Sequence, residues 1–482
     1  MEKKSVYKNY IFNTGYQIFL LIVPLITMPY VSRIFGADGI GEYSYAESIT
    51  AIFVNIAPIG TVAYGRREVS YHQENRKKRT RIFWNVLSLR VISGVLCCLI
   101  YIMYLFYSNL RVIPFILMIN IVSSIIDVSW FFQGVEDFKL IAVRNFIIKF
   151  VMMCCIFIFV HEPQDLALYA LIICCSTFLG NISVFTRLKK YIDRPIWSLL
   201  RPFKDISTVF SLFLPTLALT LAAILDKPMI GWLSKDYLQS GYYDQAQKIV
   251  SVLMMFITSL ATVMTARVGY HFERNEMDKI QDYMYQNYRF VTLIAIPMCL
   301  GIIGVARLMI PLYLGDGYEE VVSVISILCL TILVIGISNV TGIQYLIPTK
   351  RQNLFTKSIL IGTVFNFTFD LLLIPYFGAC GAVIATVIAE VMINVVQLFH
   401  IRNEISFVRL VIQAKNYVIA GGMMYVTVCI INLIVLPNLC KLILMVITGM
   451  AVYGSLLYLL KDDFYLQCLN MVKQRLKGVL AN

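Results

Sequence analysis

Charged side chains are scarce in this chain of 482 residues: Asp, Glu, Lys and Arg make up 14% of it, against about 25% in a soluble domain. So little charge cannot cover a water-facing surface, so lipid is expected to be the main solvent. No interval between the apolar runs is long enough for a soluble domain of roughly 100 residues, which excludes an appended catalytic domain. G-x-S-x-G, H-E-x-x-H and a Walker loop are all absent, so neither a serine hydrolase, a zinc protease nor an ATP-driven pump is written here. There is no C-x-x-C. Six of the twelve cysteines form the adjacent pairs Cys97-Cys98, Cys154-Cys155 and Cys174-Cys175. Neighbours on a helix point about 100° apart, so these pairs read as small apolar helix residues rather than chelates or disulfides. The four histidines, His72, His161, His271 and His400, are scattered. No cofactor and no metal site is expected.

What the chain has is apolar sequence: 59% of residues are hydrophobic. Runs long enough to cross a bilayer fall at 10–31, 42–65, 82–107, 113–134, 139–160, 166–186, 206–234, 245–268, 288–312, 319–345, 354–376, 379–400, 411–435 and 440–460. Each is expected to be helical, because lipid cannot satisfy a bare backbone. The fold class is therefore all-α integral membrane, with about 14 transmembrane helices. The basic stretch Met1–Lys8 followed by an apolar run resembles a signal peptide, but Tyr10–Val31 is too long for a cleaved segment and reads as a retained first helix.

The net charge of +13 lies in short segments between spans, which suits an anionic inner leaflet and argues against nucleic acid. With the N-terminus inside, the internal segments hold roughly 32 of the 41 basic residues and the external ones about four. Both termini are thus expected in the cytoplasm. The basic loop 187–205 divides the chain into an N-terminal lobe (1–186), a C-terminal lobe (206–400) and two last helices with a tail (401–482). Gly41-Glu42-Tyr43-Ser44-Tyr45-Ala46-Glu47-Ser48-Ile49 recurs two hundred residues later as Gly241-Tyr242-Tyr243-Asp244-Gln245-Ala246-Gln247-Lys248-Ile249. Asn145–Lys149 similarly matches Asn353–Lys357. Because six spans is an even number, this is a parallel pseudo-repeat of two six-helix lobes, one of the two transporter symmetries.

Ionisable groups at membrane depth are costly and face a cavity or a partner. The candidates are Arg90, Asp127, Lys149, Asp226, Lys227, Asp370 and Glu390, with Arg307 and Glu47 nearer span ends. Arg90 and Lys149 could instead snorkel, and Asp226-Lys227 could be a local pair before Pro228. Pro24 in the first span and Pro215 in the seventh bend helices at similar places in the two halves.

Several stretches carry a resemblance. Pro29-Tyr30-Val31-Ser32-Arg33-Ile34-Phe35-Gly36-Ala37-Asp38-Gly39-Ile40-Gly41 resembles the segment joining the first two helices of Wzx-type polysaccharide flippases. Ala63–Glu68, Trp130–Glu136, Leu225–Gly231 and Ile374–Ala382 match too, so the likeness spans both halves; the last two helices carry no recognised motif. The resemblance implies the multidrug/oligosaccharidyl-lipid/polysaccharide (MOP) exporter superfamily, with two six-helix lobes forming a V. It implies as substrate an O-antigen or capsule type oligosaccharide on undecaprenyl pyrophosphate, turned from the inner to the outer leaflet of the bacterial cell membrane, with no covalent chemistry. An anionic head of this kind needs cations in a wet cavity. Arg33, Arg90, Lys149 and Lys227 are the candidates for that role, of which Arg33 and Lys227 lie inside the matching motifs. Asp127, Asp226, Asp370 and Glu390 are candidates for H+ or Na+ coupling. The alternative is a MATE-like drug or cation antiporter, which expects a more acidic cavity. A membrane polysaccharide polymerase needs a large external loop, and the longest here is about ten residues. Partners expected are the lipid-linked oligosaccharide, membrane lipid and a polymerase or assembly machinery, with the chain itself a monomer.

Overall fold

The computed structural model describes residues 6–107, 112–258 and 261–480. Among them the chain is helical and contains no strand. The helices are α1 (Val6–Ile56), α2 (Thr61–Tyr71), α3 (Arg76–Tyr107), α4 (Val112–Ile126), α5 (Ser129–Gly134), α6 (Phe138–Phe159), α7 (Leu166–Ser183), α8 (Phe185–Leu188), α9 (Ile206–Ile224), α10 (Asp226–Ser234), α11 (Tyr237–Thr258), α12 (Ala261–Phe272) and α13 (Met277–Leu314). They continue as α14 (Glu319–Leu328), α15 (Leu330–Thr341), a π-helical turn (Gly342–Leu346), α16 (Gln352–His400), α17 (Phe407–Asn432), α18 (Asn438–Leu459) and α19 (Asp463–Leu480). Ten helical stretches of the described residues are long and apolar enough to cross a bilayer, so this is a multi-pass membrane protein. Two of the ten, Ile22–Tyr71 and Gln352–His400, each carry parts of two expected spans. The expected spans 206–234 and 245–268 fall on α9–α10 and α11–α12, outside those ten.

Where α1 and α16 each join two spans, the joint is a single glycine. Gly36 sits at φ 64°, ψ −177° and Gly378 at φ 53°, ψ −129°. A side chain at those angles would clash with its own backbone, so only glycine turns the chain there without strain. Both glycines belong to motifs that carry the resemblance, and each follows a proline-tyrosine pair.

The chain divides into two compact units, 1–241 and 242–482. In the first, an aromatic core closes one end. Trp130, Phe131 and Phe132 of α5, all at or below 1% exposure, pack with Phe83 of α3 and with Leu188 and Ile192 of the segment after α7. Gly65 lies against the Trp130 ring so closely that a β-carbon would sit 2.5 Å from it, which joins two of the matching motifs in space. The basic segment 187–205 is docked, not loose. Arg76 pairs with Asp193 at 2.9 Å, Arg79 donates to the Tyr191 carbonyl at 2.7 Å, and Trp84 donates to the Asp193 carbonyl at 3.0 Å.

In the second unit α13, α15 and α16 pack together, and α17 and α18 pack on each other and on α13. Asp462 ties this addition down. It accepts from Arg289 at 3.1 Å, from the Tyr417 hydroxyl at 3.2 Å, from Asn416 at 3.2 Å and from the Tyr465 amide at 3.0 Å.

Each unit contains the same helix-ending turn. In the first, Glu136 adopts φ 60°, the Asp137 amide donates to the Phe132 carbonyl at 2.8 Å, and the Glu136 amide donates to Gln133 at 3.1 Å. In the second, Lys350 adopts φ 63°, the Arg351 amide donates to the Leu346 carbonyl at 2.8 Å, and the Lys350 amide donates to Ile347 at 3.1 Å. This left-handed ending satisfies the last helical carbonyls. A later segment then holds each turn: the Tyr191 hydroxyl donates to Asp137 at 2.7 Å, and Arg351 pairs with Glu404 at 2.7 Å. The same ending recurs in the second unit at Asn275 and Lys461, so it is a general way of closing a helix in this chain.

Candidate functional site

A helix crossing lipid should not be interrupted, yet the fourth expected span is. α4 stops at Ile126 and α5 starts at Ser129. The interruption exposes carbonyls at the end of α4 and amides at the start of α5, and both need partners. Asp127 meets one demand: its Oδ1 accepts from the Ser129 amide at 2.9 Å. Arg90 of α3, only 1% exposed, meets another by donating from Nη2 to the Ser124 carbonyl. Asp127 is also the carboxylate whose charge acts on that guanidinium. The Nε and Nη1 groups of Arg90 are buried without a hydrogen-bond partner among the described residues. Around the break the polar groups continue. Asn181 of α7 donates to the Ser123 carbonyl at 3.0 Å, and Arg144 of α6 reaches Asn181 at 3.4 Å and the Ser129 hydroxyl at 3.3 Å. Two arginines thus converge on a broken helix within the membrane.

The other candidates sit on other helices or further along α6. Lys149 of α6 is half-buried; its ammonium approaches the Met152 sulfur at 3.9 Å, and Glu47 of α1 is the carboxylate acting on it. Arg33, three residues before the Gly36 break, is exposed. Asp226 is buried at the first residue of α10 and Lys227 follows it, half-buried. The Lys227 carbonyl accepts from the Ser240 hydroxyl at 3.1 Å.

In the second unit Asp370, 1% exposed, and the half-buried Glu390 lie in the two arms of α16, on either side of Gly378. Arg307 lies in α13.

The structure therefore brings Arg90 to Asp127 and Lys149 to Glu47. Three further groups, the half-buried Arg144 and the buried Asp244 and Ser44, were not singled out in the sequence. Arg144 sits near the start of its span, next to Asn145, where it reads as an interfacial charge. Asp244, 1% exposed and paired with Lys248 at 2.5 Å, lies within the repeated Gly241–Ile249 segment itself. Its counterpart in the first copy is Ser44, fully buried, whose hydroxyl donates to the Ser240 carbonyl at 3.4 Å. Within the first unit the leading glycines of the two copies meet: a β-carbon on Gly241 would lie 2.8 Å from the Gly41 α-carbon, and one on Gly41 would lie 2.7 Å from the Tyr237 carbonyl oxygen.

Comparison with known proteins agrees with this architecture. The chain is 21% identical over 410 residues to a putative O-antigen transporter of Escherichia coli strain K12, covering 84% of this chain and 98% of that protein. It is 22% identical to the probable flippase AglR of Haloferax volcanii over 46% of this chain and 48% of that one. Among solved structures, the lipid II flippase MurJ in an inward closed conformation superposes with a TM-score of 0.76 at 14% identity, covering 94% of this chain and 99% of that one. An inward-facing multidrug resistance MATE family transporter of the MOP superfamily superposes with a TM-score of 0.59 at 15% identity, covering 82% and 99%. The fold is the one these transporters share. The family described as polysaccharide biosynthesis protein matches residues 6–265, more than half of the chain, and the chain belongs to that family.

Proposed function

We propose that this protein is a flippase that carries an oligosaccharide linked to undecaprenyl pyrophosphate from the inner to the outer leaflet of a bacterial cell membrane, for O-antigen or capsule type surface polysaccharide. It works by alternating access, as a monomer, with both termini in the cytoplasm. The observation that carries this reading is the pair of arginines gathered on the broken helix α4–α5 in a chain of the polysaccharide biosynthesis family. Cations at membrane depth, here the buried Arg90 and the half-buried Arg144, suit an anionic cargo and are otherwise costly. A broken membrane helix is tolerated where it is buried in protein or lines a cavity. In this reading Arg33, Arg90, Lys149 and Lys227 serve the pyrophosphate and sugar. Asp127, Asp226, Asp370 and Glu390 serve coupling to H+ or Na+. The expected partner downstream is a polysaccharide polymerase or assembly machinery.

The test is a lipid-linked sugar assay in cells depleted of the protein. The reading requires undecaprenyl-linked oligosaccharide to build up on the cytoplasmic side while surface polymer disappears. Wild type must restore both, and the double variant Arg33→Gln/Lys227→Gln must not. Rescue by the double variant would remove those two residues from the cargo path. Drug sensitivity without accumulation would replace the flippase by an antiporter.

A further inference from the structure

Along the second unit runs a cleft of about 240 Å³ between α17 and the neighbouring α13, α15 and α16. Its walls are almost wholly apolar, built by Ile296 of α13, Leu333 and Ile337 of α15, Leu398 of α16, and Leu410 and Val411 of α17. Val411 is 55% exposed and Phe407, at the same end of α17, is 60% exposed, so the cleft opens sideways onto the surrounding lipid. Interiors do not keep apolar voids of this size next to a fluid that can fill them.

One end of the cleft is polar. Arg289 lines it, but its charge is already met by Asp462 at 3.1 Å. Gln413 lines it as well, and its buried Oε1 has no hydrogen-bond partner among the described residues. Just beyond this end lie two exposed cations. Arg402 follows the lining residue Leu398 by one helical turn and lies over the Phe399 ring at 4.1 Å. Arg409 precedes the lining residue Leu410 and lies over the Tyr285 ring at 4.0 Å, one turn before the lining residues Tyr288 and Arg289. Stacking on rings fixes both guanidinium groups at the mouth. Neither forms an ion pair among the described residues, and the nearby carboxylate of Glu404 is engaged by Arg351 at 2.7 Å and by Tyr345.

We infer that this cleft holds a resident anionic phospholipid of the inner leaflet, with one acyl chain between α17 and α15–α16 and its phosphate on Arg402 and Arg409. The volume admits part of a single chain and excludes an oligosaccharide. The two free cations select an anionic over a zwitterionic headgroup. The inference rests on the orientation proposed above, which puts the start of α17 at the cytoplasmic face, and not on the identity of the cargo.

The test uses the full chain carrying Leu410→Trp in vesicles, with acyl-brominated phosphatidylglycerol or acyl-brominated phosphatidylcholine as the quencher, scored against the parent chain. The added indole should be quenched by both, with an apparent preference of about fivefold for the anionic lipid. Arg402→Gln/Arg409→Gln should bring that preference to unity. Ala414→Phe, which fills the cleft, should remove quenching by either lipid. Val411→Trp serves as the reporter if Leu410→Trp does not fold. Equal quenching by the two lipids in the parent background, or quenching that survives Ala414→Phe, overturns the inference. Displacement of the brominated phosphatidylglycerol by undecaprenyl phosphate also overturns it, and assigns the cleft to the cargo's tail. Because the purified protein is measured without cargo, these results stand apart from the accumulation assay: flipping can fail there with the lipid still bound here.

Discussion

The Arg90–Asp127 arrangement at the α4–α5 break sets stability against function in a way that can be measured. Asp127→Asn keeps an oxygen for the Ser129 amide and removes only the charge. It leaves a fully buried guanidinium with no carboxylate near it. Arg90→Met keeps an apolar stem of similar length and strips the Ser124 carbonyl of its donor. A buried acceptor left unpaired costs about 1–3 kcal/mol, and breaking a buried charge pair from one side costs up to about 3–5 kcal/mol. Asp127 is only half-buried, so the lower part of that range applies and each single variant should lose about 1–3 kcal/mol. The double variant differs. It removes the desolvated charge together with two donors, Nε and Nη1, that have no partner among the described residues. With the guanidinium gone, Asp127→Asn leaves no buried charge uncompensated, although the Ser124 carbonyl still lacks its donor. The double variant should therefore lie within about 1 kcal/mol of Arg90→Met alone, giving a coupling energy of about 1–3 kcal/mol. The assay is denaturant unfolding of the four purified proteins in one detergent, alongside the accumulation assay in cells. The double variant is expected to be folded and unable to transport. If the two single effects simply add within about 0.5 kcal/mol, the residues are not a pair and the reasoning fails.

Gly65→Ala places a methyl group 2.5 Å from the Trp130 ring and should cost about 1–3 kcal/mol by overpacking, read as a lower unfolding midpoint; an unchanged midpoint would show the ring free to move. Glu404→Gln removes the carboxylate that holds Arg351 and should weaken the turn at Lys350 by about 1 kcal/mol. Limited proteolysis should then cut faster around residues 346–352, with no change at the matching turn near Glu136. In the connection between α12 and α13, hydrogen bonds from His271 and from Lys279 (3.0 Å) hold the Glu276 carboxyl below the usual carboxylate range. Its contribution is complete above the ordinary glutamate value of about 4.3 and is lost as pH falls through the lowered value. Hydrogen exchange at the start of α13 should accelerate only over that acid window, and Glu276→Gln should abolish the pH dependence.

The all-helical membrane character could be read from the sequence because lipid allows few alternatives, whereas the expected spans 206–234 and 245–268 fall outside the ten long apolar helices. A run of about 20 apolar residues must be a helix, while the joints at Gly36 and Gly378 lay unremarked inside motifs noted only for their resemblance. The break between Ile126 and Ser129 was hidden because it contains neither proline nor glycine. Only Asp127, a residue that binds backbone amides two positions on, marks it, and a deep aspartate looks the same whether it caps a helix or faces a cavity. Arg144 carries no local mark either, because its contacts with Ser129 and Asn181 are made by tertiary folding. The Asp462 network was out of reach for another reason: Arg289, Tyr417 and Asp462 are joined by tertiary folding, and no local periodicity links them. The recurrence of the turns at Glu136 and Lys350 was equally silent, since a left-handed ending can be built from glutamate or lysine when the carbonyls it satisfies demand it.

The meeting of Gly41 with Gly241 has a bearing on how the protein is made. The first compact unit closes only when residue 241 is in place, although most of its helices precede residue 190. At about 5–20 residues per second, some 10–40 s of synthesis separate the two glycines. Throughout that interval Ser44 and the bare backbone at Gly41 must wait in the membrane without the strip of α11 that covers them. A nascent chain arrested before α11 should therefore hold α1 in a state that other helices, or the insertion machinery, can reach. The latest contact of the first unit is thus one of backbone against backbone, and the ribosome sets when it can form.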